Sequence, residues 1–132
     1  MPRLYVVAAV IYSRDQKQIL LARRPRHLHQ GGLWEFPGGK LEAGETPALA
    51  LHRELVEEID IAITRCEPLV KIQHDYPDKS VLLDFWSVTD FDGVPQGLEG
   101  QEVRWVGIDR IRDYEFPEAN KAIIDLLVDR SL

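Results

Sequence analysis

Residues 38–61, GGKLEAGETPALALHRELVEEIDI, set a pair of glycines directly before a helix-forming run whose acidic residues recur at helical spacing. Thr46 suits an N-cap, and Pro47 suits the first helical position, where a missing N–H costs nothing. At about 100° per residue, Ala48, Leu51, Leu55 and Ile59 share one apolar sector, with Glu54, Glu57 and Glu58 on the adjoining one. Acidic residues three and four apart repel, each pair costing roughly 0.2 to 0.5 kcal/mol on an exposed helix, and a bound cation removes that penalty. The hard, oxygen-seeking ions Mg²⁺ and Mn²⁺ fit, since Mg²⁺ commonly takes a few carboxylates and completes its shell with waters and phosphate oxygens. Arg53 either orients these carboxylates or neutralises part of their charge. Gly38 and Gly39 are read as a tight turn whose bare backbone approaches a metal or phosphate closely, with a Gly38 carbonyl as a further metal ligand.

A Glu-rich helix face is ordinarily solvated surface, so the residues upstream matter. Gly39, Glu45, Arg53, Glu54, Leu55, Glu57, Glu58 and Ile61 follow the spacing G-x5-E-x7-R-E-U-x-E-E-x-G-U, where U is aliphatic. In this the chain resembles the Nudix hydrolases. One position departs: Asp60 stands where that pattern has Gly, at a helix exit where a left-handed residue is expected. The resemblance implies a Nudix-like α/β/α sandwich, an α/β fold with a mixed sheet between helices, filling residues 1–132 as one domain. It also implies hydrolysis of a nucleoside diphosphate linked to a further group, cleaved within the diphosphate.

Composition fits that reading. The chain has 132 residues, 45% hydrophobic and 29% charged, which is ordinary for one globular domain rather than a disordered chain. A net charge of −6 argues against a nucleic-acid polymer as partner, because such binding rests on many Lys and Arg contacts to phosphate. A small anionic substrate then needs local positive charge, and Arg23, Arg24 and Arg26 form the dense basic cluster. The lone Cys66 is expected to be a reduced thiol in a cytoplasmic protein. The apolar run at 4–12 is too short to cross a bilayer, so no membrane partner is expected. Association is expected to stop at a monomer or small homo-oligomer.

Outward from the central stretch, residues 4–12 and 18–23 are rich in aliphatic and β-branched residues around the turn-like SRDQK and predict a hairpin. LWEFP predicts a short strand. Residues 68–76 and 80–89 predict a second hairpin around PDK, and 103–107 a further strand. Residues 90–102, DFDGVPQGLEGQE, predict an exposed loop. Residues 117–130 predict a final helix with Ala122, Ile123, Leu126 and Leu127 at core spacing. Trp34, Trp86, Trp105 and Phe85 are read as core.

The chemistry follows from the carboxylates. A divalent ion held by Glu54, Glu57 and Glu58 binds phosphate oxygens, neutralises charge in an in-line displacement and makes a bound water more acidic. Two general bases remain open, Glu54 on the helix and Glu99 in the acidic loop, each also a metal ligand by resemblance. Glu99 lies between Gly97 and Gly100, whose mobility would let it enter the site with substrate. Glu45 precedes the helix off the carboxylate face, which assigns it an orienting role with Arg53.

RRPRHLH, LWEFPGGK, YPDK and FPEAN extend the likeness to almost the whole chain and to the MutT branch, whose members hydrolyse 8-oxo-dGTP. That branch implies that Asn120 reads the purine edge, Arg24 and His29 lie in the nucleotide pocket, and Phe36 packs near the base. Oxidation at C8 turns N7 from acceptor to N–H donor, and a single amide can accept from N7–H while donating to O6. Asn120 is otherwise read as a capping residue of the last helix. Two rival functions stand: the same chemistry on another nucleotide such as CTP or dCTP, and a nucleotide-binding regulatory module without turnover.

Overall fold

A computed structural model describes residues 3–27 and 31–130. Two sheets and two α-helices make up these residues. One sheet runs β4 (Gly38–Lys40), β1 (Arg3–Ile11), β6 (Ser80–Asp92), β5 (Ala62–Asp75); β1 lies parallel to β6, and the other pairs are antiparallel. The other runs β3 (Trp34–Glu35), β2 (Gln18–Arg23), β7 (Val103–Gly107), all antiparallel. Strand β1 is apolar on both faces, and both are covered. Val7, Ala9 and Ile11 pack with Leu51, Leu55 and Ile59 of α1 (Pro47–Ile59). Ala8 and Val10 pack with Ile123, Ile124 and Leu127 of α2 (Lys121–Arg130). The result is the α/β/α sandwich with a mixed sheet that the sequence predicts.

Helix α1 begins as expected. Thr46 is extended at φ −80°, ψ 158°, its hydroxyl accepts from the Leu49 N–H, and Pro47 opens the first turn. Its core face uses Ala50 with Leu51, Leu55 and Ile59, while Ala48 is only half-buried. At the exit, Asp60 takes the left-handed conformation, φ 61° and ψ 38°, that the Nudix pattern assigns to glycine. The missing glycine therefore leaves the exit geometry intact.

Four expectations are corrected. The strands at 4–12 and 18–23 do not form a hairpin: after one bridge, Tyr12 to Ile19, they part into different sheets. With β4 and β6 on its two edges, β1 has no edge left for β2. Gly38 and Gly39 are not a tight turn but extended strand, paired opposite Ala8 and Val7. The second hairpin is longer than expected, so the acidic loop starts at Gly93 rather than Asp90. The last helix starts at Lys121 after a 3₁₀ turn, Glu118–Asn120, and that change of phase buries Ile124 and exposes Ala122.

Trp34 and Phe85 are core, while Trp86 and Trp105 are half-buried. No helix among the described residues is long and apolar enough to cross a membrane. The left-handed Asp60 carries a strain that glycine does not, partly offset by a 3.4 Å bond from Gln96 Nε2 to its carboxylate. Replacing Asp60→Gly is expected to raise stability by about 1 kcal/mol, seen as a melting temperature roughly 3 to 6 °C higher in a thermal scan.

Candidate active site

Arg53 leaves the middle of α1 and gathers the acidic residues around it. Its Nε and Nη2 donate to the two oxygens of Glu45 at 2.6 and 2.8 Å, a bidentate pair. Nη1 donates to Glu54 at 2.8 Å and Glu57 at 3.3 Å, and Nη2 also reaches the Lys40 carbonyl at 3.2 Å. These bonds hold the Glu45 carboxyl down at about 2. The same guanidinium therefore orients Glu54 and lowers the repulsion along the helix, the two roles between which the sequence did not choose.

The glycines serve this arrangement through their missing side chains. The Glu54 carboxylate lies where a Cβ on Gly39 would be, with its carbon and oxygens 2.4–2.5 Å from that point. The Gly38 N–H donates to Glu58 Oε2 at 3.1 Å. Glu58 is pushed up to about 8, first by burial, then by the charge of Glu54, with Glu35 and Glu99 adding to it. Four carboxylates thus act on one another across the end of α1.

The three glutamates of the helix do not converge as one set. Glu54 is inside, its side chain 14% exposed, whereas Glu57 is 60% exposed and turned to Arg53. Among the described residues no three His, Cys, Asp or Glu side chains form a ready-made metal cage. What fits a cation is the pair Glu54 and Glu58 against bare backbone at Gly38 and Gly39, with Glu99 lining a cleft shared with Glu58. The donors are all oxygen, and the raised Glu58 marks charge that a cation would neutralise.

Two clefts meet at this point. One, of ≈ 410 Å³, is lined by Gly38, Gly39 and Glu58 together with Arg24, Glu35, Phe36, Tyr76, Lys79 and Asn120. The other, of ≈ 310 Å³, is lined by Arg23, Arg24, His27, Glu35, Glu58, Glu99 and Gln101. Phe36 is buried, edge-on to Phe85 and stacked on Phe116 at 5.7 Å. Asn120 ends the 3₁₀ turn, and its Nδ2 is 3.5 Å from the Pro117 carbonyl, a long bond that caps no helix end. His29 lies outside the described residues.

Two residues of the site were given no role by the sequence, although they lie in the stretches LWEFPGGK and YPDK. Glu35 donates its charge to both clefts: it accepts from Arg24 Nη1 at 3.1 Å, and burial pushes its carboxyl up. Tyr76 accepts the Ala119 N–H on its hydroxyl at 3.3 Å, tying the β5–β6 turn to the segment that carries Asn120. A lone Glu in a strand and a Tyr before a turn have no spacing to betray them; only the packing of distant segments brings them here.

The NUDIX domain profile matches residues 7–126. The chain belongs to the NUDIX family. This Nudix pyrophosphohydrolase is 36% identical over 118 residues to the 8-oxo-dGTP diphosphatase of Escherichia coli K12, covering 89% of the chain and 92% of that protein. It is also 39% identical over 125 residues to the CTP pyrophosphohydrolase of the same organism, covering 95% and 91%. A solved MutT structure, from work on the Aliivibrio salmonicida and Vibrio cholerae proteins, superposes with a TM-score of 0.85. It is 43% identical and covers 97% of this chain and 98% of that one. Nudix hydrolases act on nucleotides and generally use divalent metals, and the oxygen-rich end of the cleft suits both.

The raised Glu58 has a measurable consequence in the metal-free protein. Between about pH 4.5 and 8 the folded chain keeps a proton on Glu58 that the unfolded chain has lost. Its contribution to stability is therefore complete below about 4.5 and lost as pH rises through 8. With EDTA present, Glu58→Gln is expected to melt several degrees above the parent at about pH 9 and to match it near the acid end. Parallel melting curves of the two proteins across that range would show the charge to be relieved elsewhere.

Proposed function

We propose that this Nudix hydrolase converts 8-oxo-dGTP to 8-oxo-dGMP and pyrophosphate with Mg²⁺, and so clears oxidised guanine from the nucleotide pool. One observation carries the reading. A single cleft is lined by an amide, Asn120, an aromatic residue, Phe36, and the Glu58 carboxylate with the bare backbone of Gly38 and Gly39, against which Glu54 packs. That lining suits a base against Asn120 and Phe36 and a diphosphate against Glu58.

The roles follow from the side chains. Asn120 accepts from the N7–H that only the oxidised purine carries and donates to O6. An unmodified guanine meets it with an acceptor, a mismatch of the kind that supports strong discrimination. Phe36 is held by Phe85 and Phe116, so it forms a rigid wall for the base. Arg24, held by Glu35, brings positive charge to where the two clefts meet. Glu54, Glu58 and Glu99, with a Gly38 carbonyl, would hold Mg²⁺, which when bound supplies charge neutralisation for the diphosphate and a more acidic water. Glu54 or Glu99 takes the proton of the attacking water, and Arg53 with Glu45 keeps Glu54 aimed. Glu57, turned outward to Arg53, joins only if it swings inward.

A second reading, a pyrimidine triphosphate such as CTP or dCTP as substrate, is favoured by the 39% identity to a CTP pyrophosphohydrolase over nearly the whole chain. Steady-state kinetics with Mg²⁺ on 8-oxo-dGTP, dGTP, CTP and dCTP separates the two. The oxidised purine is expected to have the highest kcat/KM, and a clear preference for CTP would transfer the assignment. Replacing Asn120→Ala is expected to narrow the 8-oxo-dGTP to dGTP ratio by about tenfold or more, and an unchanged ratio removes Asn120 from base reading. Glu54→Gln is expected to lower kcat by roughly a hundredfold with circular dichroism unchanged; near-parental turnover would exclude Glu54 as base.

A further inference from the structure

The loop that carries Glu99 is docked on α1 at one point. The last carbonyls of a helix have no partner within it. Here the Glu58 carbonyl accepts from Leu98 N–H at 2.9 Å, and the Ile59 carbonyl accepts from Gln96 N–H at 3.1 Å. Gln101 adds two more bonds with one side chain: its Nε2 donates to the Glu58 carbonyl at 3.1 Å, and its Oε1 accepts the Glu99 N–H at 2.9 Å. The room for this comes from Gly97. A Cβ there would lie 1.9 Å from the Gln101 carbonyl oxygen and 3.0 Å from its Oε1. Gly100, at φ +80°, closes the turn with its N–H on the Gly97 carbonyl at 3.2 Å.

Glu99 itself is exposed, while Gln101 is half-buried. A turn with two glycines around an exposed glutamate is costly to order, because glycine loses the most backbone freedom on being fixed. We infer that Gln101 is the positioning residue for Glu99: its amide, bonded at once to the Glu99 N–H and the Glu58 carbonyl, holds the 97–100 turn against the end of α1 and keeps Glu99 on the Glu58 side of the cleft. Only a side chain with a donor and an acceptor on one rigid group can make both bonds. Asparagine has the group but is one methylene shorter. The inference rests on the reading of Glu99 as a metal- or proton-binding residue of the proposed reaction.

A double-mutant cycle of Gln101→Ala and Glu99→Gln tests it, together with amide hydrogen exchange on the metal-free, nucleotide-free protein. Gln101→Ala is expected to speed exchange at the Glu99 amide and to lower kcat about tenfold, with KM changed less than about threefold. In the Glu99→Gln background the same substitution is expected to change kcat less than about twofold, because Gln101 acts through Glu99. An equal loss in both backgrounds, or an unchanged Glu99 amide, would overturn the inference. Glu99→Gln with parental turnover sinks the reading of Glu99 and the inference with it. A crippled Glu99→Gln beside a parental Gln101→Ala sinks the inference alone.

Discussion

Negative charge crowded at one end of a helix is the constraint around which this molecule is arranged. Glu54 and Glu58 lie on one side of α1, Glu35 comes from β3, and Glu99 from the loop after β6; each raises the free energy of the Glu58 carboxylate. Left alone, such a cluster would drive its members apart into water. Arg53 prevents that by holding Glu45, Glu54 and Glu57 on one guanidinium, with Glu45 fixed by two bonds. Arg24 does the same for Glu35. The repulsion that remains falls on Glu58, whose ionised form a cation would stabilise.

The sandwich exists to hold that cluster still. β1 buries both faces, so α1 and α2 are locked to one strand, and β4 on its edge fixes the glycines against α1. Because Gly39 has no Cβ, Glu54 packs directly on strand backbone. The Glu54 carboxylate is thereby set by sheet pairing rather than by a flexible loop, which keeps its position precise to the level of the backbone. The base end of the cleft is built differently. It is assembled from three distant segments: Phe36 after β3, Tyr76 at the β5–β6 turn, and the 3₁₀ turn with Asn120.

On the proposed reading, chemistry on a diphosphate depends on the α1 residues, while the choice of base depends on Phe36 and Asn120. Relatives named for 8-oxo-dGTP and for CTP stand at similar identity to this chain.

Legible in the sequence were the features set by local chemistry. The Thr46 cap, Pro47 and the apolar stripe of α1 follow from helix capping and periodicity, while the spacing of Glu45, Arg53 and Glu54 carried the resemblance that implied the family and the sandwich. Asp60 was legible as a departure, and its left-handed backbone shows why Asp is tolerated there. Tertiary structure alone decided which edges pair and which carboxylates meet. The continuous apolar runs of β1 and β2 cannot say that the strands part into separate sheets, because they record burial and not partners. Nor can helix spacing reveal that Glu57 turns outward while Glu35 turns in. Those outcomes depend on distant backbone, on Arg53 and Arg24, and on burial that exists only once the layers have closed.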